Sequence, residues 1–231
     1  MLASFFIPDS FFITCEELLK VHTEEMSGLD KAYDPILNIK DPWNDAELDI
    51  IIDFVRRWNN RVPIGRHKQK IKGKLISLKT DFKMFDGIVL EEIKFDNENV
   101  EVIKKIFKDL SDVSLNTEKK KFTLRSTGPS KLMHGINPKL FVMWDDGICA
   151  HYGCAPTADG YIHFMQFMQH IAQNLLKNPS NRKKLEATGR TLPKLIDEYN
   201  WINFRSDLSP EKDTSQNDSM VGWMRPERGK G

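Results

Sequence analysis

The stretch Ser126 to Cys154, STGPSKLMHGINPKLFVMWDDGICAHYGC, holds three groups of residues that could do chemistry. The first is Lys131, just after a Gly128-Pro129 turn. A lysine attacks a carbonyl carbon once its amine is neutral, which burial or a nearby positive charge such as Arg125 can bring about. The alternative is an exposed, protonated lysine at a helix start, bridging to Asp145. The first-turn N–H groups around Gly128 and Ser130, with Arg125 and Lys131 beside them, would suit a phosphate or a carboxylate. The second group is Asp145-Asp146, a carboxylate pair of which either member can N-cap a helix beginning near Gly147. The third is Cys149-x-His151-x-x-Cys154, which carries thiolate and imidazole ligands but only three of the four that a structural zinc site needs. His163 or His170 would have to complete it, and neither a CxxC pair nor an HExxH helix is present. No metal is expected, and Cys149 reads as a small buried hydrophobe. His163 and His170, seven apart, read as core or interface histidines, and His134 as a hydrogen-bond partner for a helix end.

Elements must hold these residues in place, and their periodicity is helical throughout. Thr14 with Glu17 forms a capping box ahead of a helix to about Met26. Asp41-Pro42-Trp43-Asn44 is a turn, and Asn44 with Glu47 starts a helix whose apolar residues Leu48, Ile51, Ile52, Val55 and Trp58 share a face. Gly65 to Leu78 reads as a basic helix whose lysine stems can cover apolar surface. Residues 80–95 are ambiguous, with a short helix suggested at Gly87–Ile93. Asn97 opens an amphipathic helix with Val100, Ile103, Ile106, Phe107 and Leu110 as its buried stripe. Ala158–Lys177 is apolar nearly all round, which makes it the central and most buried element. Asn178-Pro179 stops it, and Thr191–Phe204 is the last amphipathic helix. No period-2 run of β-branched residues occurs. The expectation is an all-α fold, a single helical domain over residues 1–205, with two helical lobes as the alternative arrangement. Residues 206–231 read as a mobile polar tail onto which Trp223 could dock.

At 231 residues, with 40% hydrophobic and 29% charged side chains, the chain has the make-up of a water-soluble globular protein. No apolar run approaches the roughly 18–20 residues of a membrane span, so no membrane association is expected. The opening MLASFFIPDSFFITCEELL lacks a basic n-region and is broken by Pro8 and Asp9, so it reads as a packed arm rather than a signal peptide. Three unevenly spaced cysteines make no disulfide framework, and a cytoplasmic location is expected. No P-loop, dinucleotide fingerprint or nucleophile elbow occurs, and no cofactor is expected. The net charge of +1 hides segregation: residues 1–55 carry 12 acids and 3 bases, whereas residues 56–83 carry 10 bases and one acid. That basic block, with Arg66, Lys68 and Lys70, could face nucleic-acid phosphates. The competing reading is that neighbouring helices complement each other's charge.

A glycine turn, a helix bearing a lysine, a short loop and an aspartate opening the next helix follow one another over residues 125–152. This order resembles the helix-hairpin-helix family of DNA glycosylases. The resemblance implies a hairpin at Ser126–Ser130 that grips DNA backbone, with Lys131 as the nucleophile attacking the sugar C1′ to form a Schiff base. It also implies Asp145 or Asp146 as the carboxylate that serves the chemistry and caps its helix. The expected partner is therefore DNA or RNA, bound through Arg125, Gly128, Ser130, Arg66, Lys68 and Lys70, and any enzyme activity would be glycosylase- or lyase-like. This sequence has one glycine where the family's hairpin shows two, and a short interval from Lys131 to Asp145. The rival function is a non-catalytic helical scaffold, a homodimer packing the helix that carries Met165, Phe167 and Met168. Convergence of the 56–79 segment and the Lys119–Lys121 loop on the Gly128 turn would favour nucleic acid; dispersion would favour the scaffold.

Overall fold

Side-chain caps set the starts of several helices. The computed structural model describes residues 13–25, 33–59, 62–118 and 120–204. Helix α1 (Cys15–Lys20) begins with the reciprocal box, Glu17 N–H donating to Thr14 Oγ1 at 3.2 Å and Thr14 N–H to Glu17 Oε2 at 2.7 Å. It runs on as a π-helical turn, Val21–Glu25. After the short α2 (Asp34–Leu37), Asn44 caps α3 (Asp45–Trp58) through its side chain. Glu47 turns back to accept from the N–H groups of Lys40 and Asp41, fastening the preceding turn. A 3-10 turn, Ile64–His67, leads into α4 (Lys68–Ser77) and α5 (Lys79–Lys83). Asp96 caps α6 (Asn97–Ser111), whose buried stripe is Ile103, Ile106, Phe107 and Leu110. The remaining helices are α7 (Thr127–Ile136), α8 (Asp146–His151), α9 (Ala158–Leu176), α10 (Pro179–Glu186) and α11 (Leu192–Phe204).

The fold is all-α and forms a single compact domain rather than two lobes. Among the described residues there is no strand, only an isolated bridge between Ser114 and Thr123. No described helix is long and apolar enough to cross a membrane. The N-terminal arm before Ile13, Lys119 and the 206–231 tail with Trp223 lie outside the described residues, and so do the expectations attached to them.

Two expectations need correcting. The most enclosed element is α7, with eight of its ten residues buried, against ten of nineteen in α9. Helix α7 lies between α3 and α6, and α6 packs in turn on α9. Helix α9 keeps a polar stripe through Asp159, His163, Gln166, His170 and Gln173, none of them buried. Part of that polar surface explains the second correction. Residues 87–93 form turns instead of a helix. The Gln169 amide donates to Leu90 O (3.2 Å) and Ile93 O (2.6 Å), and the Gln173 amide to Glu91 O (2.9 Å). Leu90 N–H itself donates to Lys139 O. Backbone groups satisfied from outside have no need of a helix.

Close helix approach accounts for Gly135 in α7. A Cβ there would sit 2.5 Å from Ile51 Cγ2 of α3. Gly135→Ala is therefore expected to destabilise the protein by about 1–3 kcal/mol despite its better helix propensity. Urea unfolding at neutral pH checks this; an unchanged or raised midpoint would mean that α3 and α7 are not so tightly apposed.

Candidate functional site

The chain leaving α7 folds back along it, and this decides where the expected turn residues sit. Ser130 Oγ donates to Thr127 O at 3.0 Å and accepts from Trp144 N–H at 3.3 Å, while Trp144 Nε1–H donates to Ser126 O at 3.0 Å. Trp144 is buried among Phe107, Tyr161 and Phe164, with ring centroids 5.2–5.8 Å away. Gly128 is buried too. Its N–H donates to Leu124 O, and a Cβ would meet Leu124 Cδ2 at 2.9 Å. In this conformation Gly128 and Ser130 are both buried and brace the core, and the Gly128 N–H is already bonded within the chain. Arg125 remains exposed, with φ of 54°, an uncommon conformation for a residue with a side chain.

The structure separates the two adjacent aspartates. Asp145 is the N-cap of α8, its Oδ1 accepting from Ile148 N–H at 3.0 Å. It lines a narrow pocket together with Lys131. Asp146 lies in an open groove with Arg125, Lys108 and Thr157. Lys131 donates from Nζ to Trp58 O at 3.1 Å, with the ammonium 6.0 Å from the centre of the Trp58 ring. Phe54, Trp58, Met143, Trp144, Ile148 and Trp201 supply the apolar walls, and Trp58 and Trp201 meet edge to face at 5.9 Å. The cavity volume is about 20 Å³, room for about one water. The indole Nε1–H of Trp58 is buried with no acceptor among the described residues. An occupant carrying an acceptor could relieve that cost of about 1–3 kcal/mol.

Two further polar residues of this pocket, Lys194 and Asp197, come from α11. Lys194 Nζ lies 3.3 Å from Asp197 Oδ2 and 3.4 Å from Glu198 Oε1, with the Lys194 and Glu198 side chains almost wholly buried. Glu198 reaches on to His22 Nδ1 at 2.8 Å. Burial pushes the Asp197 carboxyl above its ordinary range, against the pull of Lys194 and Lys131 and with a smaller push from Asp145. Sequence reading saw only an amphipathic helix here. The available signal was Lys194, Glu198 and Trp201, a helical stripe that puts charge on the same face as an aromatic.

Half of the basic block, Arg56, Lys68, Lys72, Lys74 and Lys79, is engaged within the fold. Lys68 Nζ lies 3.1 Å from Asp53 and 3.5 Å from Asp49, and Lys72 Nζ lies 2.8 Å from Asp45 and 2.6 Å from Asp49. The Lys72 ammonium, bonded to Asp49, holds that carboxyl below its ordinary range. Lys74 pairs with Asp109, and Lys79 stacks over Trp43. Helix α4 thus complements the acidic face of α3. Arg57, Arg66 and Lys70 are exposed and make no ion pair with a described residue. Gly65 lies close to the Arg56 side chain of α3, where a Cβ would sit 3.2 Å from Arg56 Cδ.

The cysteines and His134 are enclosed in the core. Cys149 and Cys154 are buried, and burial raises both thiols, Cys154 to about 12. The ring of His151 stacks on Phe204 at 3.4 Å. No group of three or more His, Cys, Asp or Glu among the described residues is placed to hold a metal ion. His134 Nδ1–H donates to Phe141 O at 2.6 Å, while Nε2 accepts from the Tyr33 hydroxyl at 2.7 Å. No protein-family model matches the chain, and neither a curated protein nor a solved structure matches it.

Proposed function

We propose that this protein binds nucleic acid and that Lys131 forms an imine with the aldehyde of a sugar that has lost its base. One observation carries this reading: Lys131 and Asp145, on different elements, line the same tryptophan-walled pocket, while Asp146 lies elsewhere. The glycosylase-like order of residues 125–152 supports it, as does the cap that Asp145 places on α8. In this reading Lys131 Nζ attacks C1′ of the open-chain sugar and water leaves. Asp145 then stabilises the positive imine within an apolar surround, where charge interactions are strong. The closed pocket has room for about one water, so the sugar enters only when the tryptophan wall parts. Arg57, Arg66, Lys70 and Arg125 are among the exposed cations that could meet backbone phosphates, Arg125 from the groove that holds Asp146 and Lys70 from the one beside Lys74 and Asp109.

Borohydride reduction of the wild-type protein mixed with a DNA duplex containing one abasic site tests this. The expected product is a covalent adduct mapping to Lys131, with binding that weakens steeply as salt rises. Asp145→Asn is expected to lower adduct yield by about 10²-fold or more, within the range typical of a displaced charge-stabilising group, and Asp146→Asn to leave it near wild type. Equal effects of the two substitutions would remove the pocket from the account. The second reading, a helical scaffold, draws on the pairing of Lys68 and Lys72 with α3. It gains if the wild-type protein binds neither DNA nor RNA at low salt.

A further inference from the structure

We propose that Asp197 is the proton-transfer group of the pocket, taking the proton from the Lys131 ammonium and returning it to the oxygen that leaves when the imine forms. The inference deepens the imine-forming reading of Lys131 and rests on it. Its geometry is the shared pocket: Asp197 on α11 and Lys131 on α7 line one cavity that has room for about one water, and one water suffices to relay a proton. The groups facing Asp197 are Lys131 from α7, Asp145 at the start of α8, and Lys194 on its own helix, with Glu198 and His22 beyond Lys194.

Physical chemistry favours the transfer. A lysine ammonium and a carboxylate taken out of water each resist losing hydration, and moving one proton between them leaves two neutral groups, a gain that the charges of Asp145 and Lys194 in the same pocket partly oppose. Burial is also the largest influence on Asp197, and it favours the protonated acid. Lys194 stays paired with Glu198 and offsets part of that push, which keeps Asp197 within reach of both states.

The atoms balance. The neutral Nζ adds its lone pair to the aldehyde carbon as the C=O π pair moves to oxygen, and a proton passes from nitrogen to that oxygen through the water. The Asp197 acid then protonates the resulting hydroxyl, the C–O bond breaks, and one water departs. An N-protonated imine remains beside the Asp197 carboxylate. The proton that Asp197 first took from Lys131 is the one it spends.

The test needs no nucleic acid. The full-length protein is treated with formaldehyde and cyanoborohydride across a pH series, and methylation is read at each lysine by mass spectrometry. Exposed Lys70 serves as the reference. Wild-type Lys131 is expected to give a bell-shaped profile centred at least about one unit to the acid side of the Lys70 rise. In Asp197→Asn, labelling of Lys131 is expected to fall about 10²-fold and to lose the alkaline limb, the limb that reports loss of the acid's proton, with Lys70 unchanged. A merely structural Asp197 would lower the rate and keep both limbs, and that result overturns the inference. If the variant does not fold by circular dichroism, the wild-type comparison decides alone, and a Lys131 profile tracking Lys70 overturns the inference. An Asp197-dependent profile without capture of abasic DNA leaves the inference standing and removes nucleic acid from the function. Capture of abasic DNA with an Asp197-independent profile does the reverse.

Discussion

Lys131→Gln is expected to abolish covalent capture of abasic DNA while changing affinity by no more than about 1 kcal/mol. Glutamine is close in length and still offers an N–H to the Trp58 carbonyl, which Lys131 Nζ holds at 3.1 Å. The pocket wall therefore has reason to stay in place, and circular dichroism can confirm that the fold does. What the substitution removes is the only atom of that side chain able to add to a carbonyl carbon. The measurements are borohydride adduct yield and binding titrations at several salt concentrations. Persistent capture by the variant would assign the nucleophile to another residue. Absence of capture in wild type, with a smaller salt slope in the variant, would make Lys131 a phosphate contact.

The second large effect concerns acid. Lowering the pH from 6.5 to 4.5 is expected to strip about 2 kcal/mol of folding stability through His134 alone. Its imidazole is wholly buried, and burial holds it down to about 3. The neutral ring is required on both sides, since Nδ1–H donates to Phe141 O and Nε2 accepts from Tyr33. A proton on Nε2 would oblige the Tyr33 hydroxyl to turn and accept, and would leave a buried charge. An unfolded histidine titrates near 6.5. The contribution is thus fully present above that pH and is lost progressively as the pH falls toward 3. His134→Gln, itself costing some stability at neutral pH, is expected to flatten the 6.5-to-4.5 dependence. Urea unfolding at the two pH values measures it, and an undiminished slope in the variant would place the acid sensitivity elsewhere.

Helix positions were legible in the sequence because capping and periodicity are local. Thr14, Asn44 and Asp145 each cap where their side chains imply, and the Val100–Leu110 stripe faces inward. Whether Asp145 or Asp146 faces Lys131 was not legible, because both suit a helix start and only the return of Trp144 onto Ser130 decides. The short helix suggested at Gly87–Ile93 gives way to turns because its backbone partners, Gln169 and Gln173, come from far along the chain. The charge block was visible as a composition, but its partners on α3 are a matter of packing. Asp197 went unnoticed for the same reason: nothing within α11 reveals that its neighbours include Lys131.

The pocket's walls come from α3, the α7–α8 region and α11, so Trp58 meets Trp201 only after most of the chain has been threaded between them. Closing so long a span costs entropy that only the finished packing repays. A chain still emerging from the ribosome, or a proteolytic fragment ending before Leu192, lacks Lys194, Asp197 and Trp201 and so has no complete pocket. The reactivity proposed for Lys131 is thereby confined to the finished fold: in an incomplete chain its amine sits in water and reacts no faster than any exposed lysine.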